Sequence, residues 1–173
     1  MSGHNKWSQI KHKKGAVDQK RSKLFSILAR VIAVEAKKVK GDRSAPGLRA
    51  AIEKAREANM PNENIDRAIT NATGAGAEDL QEVLYEAYGP GGVAILINGI
   101  TSNKNRTSQE IKHLLAEAGA ALAAPGAAAW AFDNGKAVTT IPSTPNLKEQ
   151  VTNLVELLEE HEDVQNVTTN LSE

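Results

Sequence analysis

The densest group of chemically active side chains lies in the first 23 residues, MSGHNKWSQIKHKKGAVDQKRSK. Seven of these residues are Lys or Arg, only Asp18 is acidic, and two His and one Trp stand among them. Clustered cationic side chains neutralise phosphates and release the counterions that surround a polyanion. The group predicts an anion-binding surface, and nucleic acid is favoured over two alternatives, an inert solvated helix and an anionic membrane.

Positive charge is concentrated at one end of a chain whose formal net charge is zero. Residues 1–60 hold 15 Lys and Arg against 5 Asp and Glu, whereas residues 61–173 hold 6 against 16. Such segregation indicates that one end faces a polyanion. The residues expected to contact nucleic acid there are Lys6, Lys11, His12, Lys13, Lys14, Lys20, Arg21 and Lys23.

Trp7 and the two N-terminal His allow more than one interpretation. Trp7 could stack on a base, a contact worth about 1–3 kcal/mol, but a position over the helical core is favoured. His4 and His12 could contact phosphates or base edges. No further His or acidic residue stands nearby at ligand spacing, so no metal site is predicted.

A second candidate contact is the segment TSNKNRT, residues 101–107, between a predicted strand and a predicted helix. Lys104 and Arg106 would stand at the helix N-terminus, where free amides and the helix dipole attract anions. Loop and cap chemistry accounts for the Asn and Thr residues equally well. Both interpretations remain open, and the two basic residues are expected as secondary nucleic-acid contacts.

Catalytic patterns are absent from the sequence. The stretch YGPGG, residues 88–92, lacks the Lys-Ser/Thr ending of a phosphate-binding loop and leads into a strand, so a hairpin turn is favoured. No nucleophile–base–acid set or carboxylate pair stands out, and the acidic run at 159–163 is interpreted as a solvated helix end. We therefore predict a protein that is not an enzyme, with no cofactor, no metal and no small-molecule substrate.

Composition sets the broad class. The absence of Cys excludes disulfides and thiolate chemistry and is consistent with a reducing compartment. No apolar run of about 18 residues occurs, so no membrane span is expected. With 40% apolar but only 3% aromatic residues, the core must consist mainly of Ala, Val, Ile and Leu.

Helical periodicity dominates the first part of the chain. Apolar residues from Leu24 to Ile32 predict a helix from about Asp18 or earlier to about Val39. The spacing repeats after Pro46, and NMPNENIDRAI predicts a third helix with Pro61 in its first turn. The Gly- and Ala-rich residues 73–79 predict a flexible joint. We therefore expect a basic three-helix domain at 1–76 and a second domain at 77–173.

The second part alternates strands and helices. Strands are expected at 83–88, 93–101, 128–132, 137–141 and 164–169, and helices are expected from a capping box at Thr107–Glu110 and across 147–158. Asp133-Asn134-Gly135 predicts a hairpin. From Val93 onward the order is strand, helix, strand, strand, helix, strand. The predicted fold is α+β, a ferredoxin-like split βαβ sandwich with one extra strand in front.

Five segments in order resemble the YebC/PmpR family: GHNKWSQIKHKKGAVDQKRSKLF, NMPNENIDRAI, YEAYGPGGVAILI, TSNKNRT and EDVQNVTTN. The family comprises bacterial transcriptional regulators and a mitochondrial translational activator of cytochrome oxidase, and bacterial members are linked to ribosomes. The resemblance is collinear to about Phe132 and again from about Thr140.

The chain departs from this family at two places. Relatives carry a further α/β domain between the strand AWAF and the stretch IPST, whereas AFDNGKAVTTIPST connects the two directly here. Residues 128–130, Ala-Ala-Trp, stand where relatives tend to have a more polar or β-branched strand. The shorter connection is expected to leave the ferredoxin-like unit closed.

Charge and resemblance together predict a cytoplasmic, non-catalytic nucleic-acid-binding regulator of gene expression. A DNA-binding transcriptional regulator is one form of this prediction, and an RNA- or ribosome-bound translation factor is the alternative. The lack of a readable helix-turn-helix signature slightly favours RNA or non-specific DNA. A protein–protein adaptor acting through the acidic domain is a weaker third alternative. No membrane partner is expected, and a monomer is favoured.

Overall fold

The chain divides into a helical unit and an α+β unit. The computed structural model describes the backbone of residues 3–172 and the side chains of residues 14–172. The boundary between its two compact units falls between Glu78 and Asp79 in the sequence. The predicted fold class, α+β with a helical N-terminal region, is confirmed. None of the helices in residues 3–172 combines the length and the hydropathy needed to cross a membrane.

Three helices form the first unit: α1, Gly3–Lys38; α2, Pro46–Glu57; and α3, Asn62–Thr73. Gly41 ends α1 because its φ of 80° suits glycine, and its N–H donates to the Ala36 carbonyl at 2.8 Å. The apolar faces of the helices meet in one core, whose largest members are Leu28, Ile32, Leu48, Ile52, Met60, Ile65 and Ile69. The three predicted helices are confirmed.

The second unit is built on a four-stranded antiparallel sheet. Its strands are β1, Gln81–Tyr88; β2, Ala94–Thr101; β3, Ala121–Ala123; and β6, Val164–Thr169, in the order β3-β1-β2-β6. Between β3 and β6 the chain forms the short strands β4, Phe132–Asp133, and β5, Lys136–Ala137. The turn at 89–93 joins β1 directly to antiparallel β2, which confirms the hairpin interpretation of YGPGG.

Two helices complete this unit, α4, Lys104–Glu117, and α5, Pro145–Glu159. They share one core with the sheet, formed chiefly by Ile95, Ile97, Ile111, Leu115, Val151, Leu154, Leu158 and Val164. Because β1 lies between β2 and β3 in the sheet, β2, α4 and β3 form a split βαβ unit.

The strands predicted at 128–132 and 137–141 are wrong as members of this sheet. Residues 129–131 form a 3-10 turn, and 137–141 provide only the end of a two-stranded hairpin and a single bridge from Ile141 to Leu171. The backbone N–H groups of Ala128 and Ala129 donate to the Glu86 carboxylate and are unavailable to a strand ladder. The sheet takes the short strand β3 instead.

The turn at Asp133-Asn134-Gly135 is confirmed. Strands β4 and β5 pair across it, and Asn134 and Gly135 have φ values of 48° and 75°. Positive φ at both central residues is the geometry that Asn-Gly favours in two-residue hairpins.

The capping box predicted at Thr107–Glu110 is wrong. Helix α4 begins at Lys104, and Asn103 is its N-cap, with the side-chain oxygen accepting from the Arg106 N–H at 3.1 Å. Thr107 lies inside the first turn, and its hydroxyl is buried in other hydrogen bonds. Asn is as common an N-cap residue as Thr. The sequence alone therefore did not show whether the helix begins after Asn103 or after Thr107.

Candidate nucleic-acid interface

The first half of α1 extends beyond the helical core. Every residue from Lys14 to Ser22 is exposed, and the apolar core begins only at Phe25. The backbone is helical from Gly3, so residues 3–22 extend about 30 Å at 1.5 Å per residue. Because none of the side chains from Lys14 to Ser22 is buried, this part of the helix gains little stability from packing. We call residues 14–22 the projecting segment.

Positive charge surrounds the projecting segment. Lys14 and Arg21 are seven residues apart and lie on the helix face that continues into the core, whereas Lys20 and Lys23 lie on other faces. Among residues 14–172, Lys14 and Lys20 have no ion-pair partner, and Asp18 is the only acidic residue from 14 to 34. The segment can therefore present cations to phosphates on more than one side.

Other predicted contacts in this region lie outside the described side chains. Lys6, Lys11, His12 and Lys13, together with Trp7 and His4, belong to residues 1–13. Their roles as contacts stay predictions. Arg21 is placed 5.3 Å from the centre of the Phe25 ring, a cation–π distance.

The charges of the two units are opposite. Residues 1–78 contain 16 Lys and Arg against 8 Asp and Glu, and residues 79–173 contain 5 against 13. The helical unit thus has a formal charge of +8, and the α+β unit has −8. A surplus of this size raises the local concentration of a polyanion near the helical unit.

The two basic residues of the TSNKNRT segment have different surroundings in the structure. Lys104 is exposed. Arg106 is bound to carboxylates: its guanidinium lies 2.9 Å from Asp163 and 3.4 Å from Glu162, and its Nε lies 3.8 Å from Glu110. The hydrogen bond that Arg106 donates to Asp163, and then the negative charge of Asp163, raise the pKa of Arg106. Lys104 and Arg106 stay predictions as nucleic-acid contacts, but only Arg106 has an evident structural role.

Asp163 is the buried centre of a polar cluster that the sequence did not reveal. Its side chain is 1% exposed and accepts from the Thr107 hydroxyl at 2.6 Å and from Arg106. Its backbone N–H donates to His161 Nδ1 at 3.1 Å, while His161 Nε2 lies 2.8 Å from Glu110. The cluster ties α4 to the loop before β6.

The same cluster has the spacing of a metal triad. One ligand atom each from Glu110, His161 and Asp163 fits within 4.8 Å. However, the guanidinium of Arg106 already bridges the two carboxylates. We therefore assign the cluster a structural role.

Glu86 organises the loop after β3. This residue is 6% exposed, and its carboxylate accepts from the backbone N–H groups of Gly126, Ala128 and Ala129 at 2.6, 2.7 and 2.8 Å. Burial raises the pKa of the Glu86 carboxyl, but the three hydrogen bonds outweigh burial, and the net pKa is lowered. Glu86 therefore stays ionised while it holds the loop.

Trp130 is presented at the surface by this loop. Its indole N–H donates to the Tyr88 hydroxyl at 2.9 Å, and the same hydroxyl donates to the Ala127 carbonyl. The ring remains 58% exposed. Sequence reasoning missed this arrangement because Glu86 and Trp130 are 44 positions apart and follow no local motif.

By its fold, the chain is a two-unit protein: a basic three-helix unit is followed by an α+β unit with a four-stranded antiparallel sheet. Residues 5–75 match the model of the TACO1/YebC protein N-terminal domain, and residues 80–149 match that of the TACO1/YebC second and third domain. The chain belongs to the TACO1/YebC family, which confirms the resemblance seen in its motifs.

Relatives and a solved structure agree with this assignment. A probable transcriptional regulatory protein of Petrotoga mobilis is 50% identical over 160 residues, which cover 91% of this chain and 61% of the relative. One from Thermotoga maritima is 53% identical over 135 residues, covering 77% of this chain and 53% of the relative. The chain therefore spans about three fifths, or less, of these relatives' length.

The fold also matches a crystal structure. The conserved hypothetical protein Aq1575 from Aquifex aeolicus superposes with a TM-score of 0.80 at 28% sequence identity. The match covers 90% of this chain and 92% of that chain. The similarity supports the fold of both units.

Proposed function

We propose that this protein is a non-catalytic, nucleic-acid-binding regulator of gene expression that acts in the cytoplasm. The projecting segment of α1, together with the basic residues before it, anchors the protein to a phosphate backbone. The proposal gives Lys14, Lys20, Arg21 and Lys23 the role of phosphate contacts. Lysine recognises phosphates without reading bases, so this anchor supplies affinity more than sequence specificity.

One observation carries the proposal: a helix segment with no buried side chain between Lys14 and Ser22 that bears almost only positive charge. Folding does not explain the segment, because it contributes nothing to the core. A polyanion ligand does explain it, because each neutralised phosphate releases counterions. The naming of relatives as probable transcriptional regulatory proteins supports the same class of ligand.

An RNA- or ribosome-bound translation factor is the second candidate, and one feature of α3 favours it. Helices α2 and α3 are consecutive, as in a helix-turn-helix, so α3 would be the recognition helix. Its exposed residues include Glu63 and Asp66, which would face DNA phosphates, and Asp66 pairs with Arg43 at 2.7 Å. Reading of a major groove by α3 is therefore disfavoured, whereas phosphate-led binding of structured RNA is not.

Charge reversal tests the anchor. The double variant Lys14→Glu/Lys20→Glu, and the fourfold variant that adds Lys11→Glu and Lys13→Glu, should lose affinity for duplex DNA and structured RNA. Wild-type log affinity should fall with log salt at a slope of about −0.7 to −0.9 per neutralised phosphate. The control Lys112→Glu/Lys148→Glu changes the net charge by as much as the double variant does, at two exposed residues of the α+β unit.

The control should keep wild-type affinity, and all variants should keep the wild-type melting temperature. Binding that does not depend on salt, or equal loss in the control, would overturn the anchor. Crosslinking in cells, followed by sequencing of the attached nucleic acid, then separates the two candidates: promoter DNA supports the transcriptional role, and ribosomal or messenger RNA supports the translational one.

A further inference from the structure

A groove of about 350 Å³ lies between α1 and α3 in the helical unit. Its volume falls at the small end of the range of ligand sites, about 300 to 1,000 Å³. Its lining combines apolar side chains with hydroxyl, amide and guanidinium groups. Six of the lining residues define it: Phe25, Ser26, Met60, Asn64, Arg67 and Asn71.

The groove is continuous with the projecting segment. Arg21 belongs to that segment and stands 5.3 Å from the centre of the Phe25 ring, and Phe25 lines the groove. Ser22, also in the segment, lines the groove as well. A nucleic-acid strand whose phosphates follow Lys14 and Arg21 along one face of α1 would therefore reach the groove.

The lining groups suit a nucleobase. Phe25 offers a partly buried aromatic ring, and Met60 offers an adaptable apolar contact at 4% exposure. Asn64 and Asn71 each provide an amide donor and an acceptor, as the edge of a base requires. Unstacked bases are recognised in this manner, by stacking on aromatic or Arg side chains and hydrogen bonding at their edges.

Arg67 supplies the positive charge among the residues that line the groove. Arg67 is 65% exposed, and its pair with Glu63 is loose, at 3.9 Å. It can therefore turn to a phosphate at small cost, because exposed ion pairs of this kind stabilise little. Apolar side chains beside a guanidinium that can leave its carboxylate partner are complementary to a base attached to its phosphate.

We propose that this groove holds one unpaired nucleobase of a bound single-stranded or looped segment, with its phosphate directed to Arg21 and Arg67. The proposal rests on the proposed function and deepens it: the projecting segment supplies affinity for any phosphate backbone, and the groove selects strands with an unstacked base.

The test compares one base in two states. A short oligonucleotide carries a single 2-aminopurine, in an RNA and in a DNA version, and each is used as a single strand and as a duplex in which that base is paired. In wild type, the 2-aminopurine fluorescence of the single strand should rise on binding, because the base leaves the neighbouring bases whose stacking quenches it. The RNA and DNA arms show which backbone supplies the base.

The groove variants are Asn64→Ala/Asn71→Ala and Phe25→Leu, which keeps an apolar side chain in the core. Each should lower single-strand affinity about tenfold, in line with the loss of one stacked or hydrogen-bonded base, and leave duplex affinity and the salt slope unchanged. Thr70→Ala, an exposed change on the same helix, is the control and should alter neither affinity. Melting temperatures identify any variant that fails to fold.

The outcomes distinguish failure of the groove proposal from failure of the proposed function. Unchanged single-strand affinity in the Asn double variant, or equal loss of affinity for the single strand and the duplex, overturns the groove proposal. If charge reversal still abolishes binding in that case, the proposed function stands. If wild type binds neither strand form, the proposed function fails and the groove proposal fails with it.

Discussion

At the scale of single residues, the buried carboxylate of Glu86 stabilises the loop after β3 through its negative charge. Three backbone N–H groups, from Gly126, Ala128 and Ala129, donate to it. The ionised form is the one that accepts all three, and its pKa is accordingly lowered despite burial. The stability that the carboxylate contributes is therefore present above the pKa of the unfolded chain and is lost as pH falls through the lower, folded value.

Glu86→Gln should destabilise the α+β unit by about 1–3 kcal/mol at neutral pH, because an amide NH₂ would face donors and leave them unsatisfied. The difference from wild type should shrink at acid pH, where the wild-type carboxyl is protonated as well. Urea unfolding at several pH values measures this. Glu149→Gln, an exposed change on α5, is the control and should show no such difference. A constant difference at all pH values would contradict the role given to the charge.

The two basic residues of TSNKNRT should separate in function. Arg106→Ala leaves the buried Asp163 with one side-chain donor fewer and should lower the melting temperature modestly, because the Arg106 side chain is 43% exposed and solvent screens its charge. Lys104→Ala should leave the melting temperature unchanged and, if Lys104 contacts phosphate, reduce the salt slope of binding by about 1. Equal melting temperatures for the two variants would contradict the structural role of Arg106.

At the scale of elements, Gly99 decides how closely β2 and the chain before β6 can approach. The register of the two strands shifts between Asn98 and Gly99. A Cβ at Gly99 would lie 2.8 Å from the Asp163 carbonyl oxygen and 3.0 Å from Val83 Cγ2. That oxygen accepts from the Ile100 N–H at 2.8 Å, so it cannot retreat freely.

Gly99→Ala should therefore destabilise the α+β unit by about 1–3 kcal/mol through overpacking. Gly15→Ala is the contrasting change, because nothing lies within 4 Å of its Cβ position in the middle of α1. It should add helix stability of about 0.5–1 kcal/mol locally. Hydrogen exchange of β6 amides and of α1 amides reads the two effects separately. Unaltered exchange in β6 for Gly99→Ala would show that the strands can move apart.

Elements with strong local signals were predictable from the sequence. Apolar periodicity located α1 to α3 and α5, Asn134-Gly135 indicated the β4–β5 hairpin, and residues 164–169 were correctly expected as the last strand. The failures share a cause. Residues 128–131 turn because of Glu86, some 40 positions earlier, and Thr107 is turned away from capping by Asp163, 56 positions later. Long-range hydrogen bonds of this kind leave no periodic trace.

The candidate site, like the fold, could be predicted from the sequence only where the signal was local or compositional. Charge counts alone identified the basic N-terminal region, because electrostatics depends on composition. The projecting segment and the groove between α1 and α3 could not be predicted, because both depend on where the core begins. Phe25, a core-facing residue by periodicity, also lines the groove, and only the packing of α3 beside it reveals that second position.

At the scale of the whole molecule, we expect the two units to be separable domains. Each has its own apolar core, and residues 74–80 between α3 and β1 have no regular secondary structure. Glu78 is exposed in this joint and carries no hydrogen bond or ion pair among the described residues. Exposed joints with small residues are the preferred sites of proteolytic cleavage. Limited digestion with a glutamate-specific protease should therefore cut first at Glu78, ahead of the glutamates within helices.

The fragments should then divide the functions as they divide the charge. The piece that ends at Glu78 has a formal charge of +8 and contains both the projecting segment and the groove, whereas the piece from Asp79 has −8. The first should retain most of the affinity for RNA or DNA and nearly all of its salt dependence, because the released counterions belong to phosphates bound by its Lys and Arg. The second should unfold cooperatively but bind much more weakly, since its net charge repels a polyanion. Affinities of the purified fragments, measured by fluorescence anisotropy at several salt concentrations, test this directly. Full affinity in the acidic fragment would move the anchor out of the helical unit, and early cleavage elsewhere would place the domain boundary away from residues 74–80.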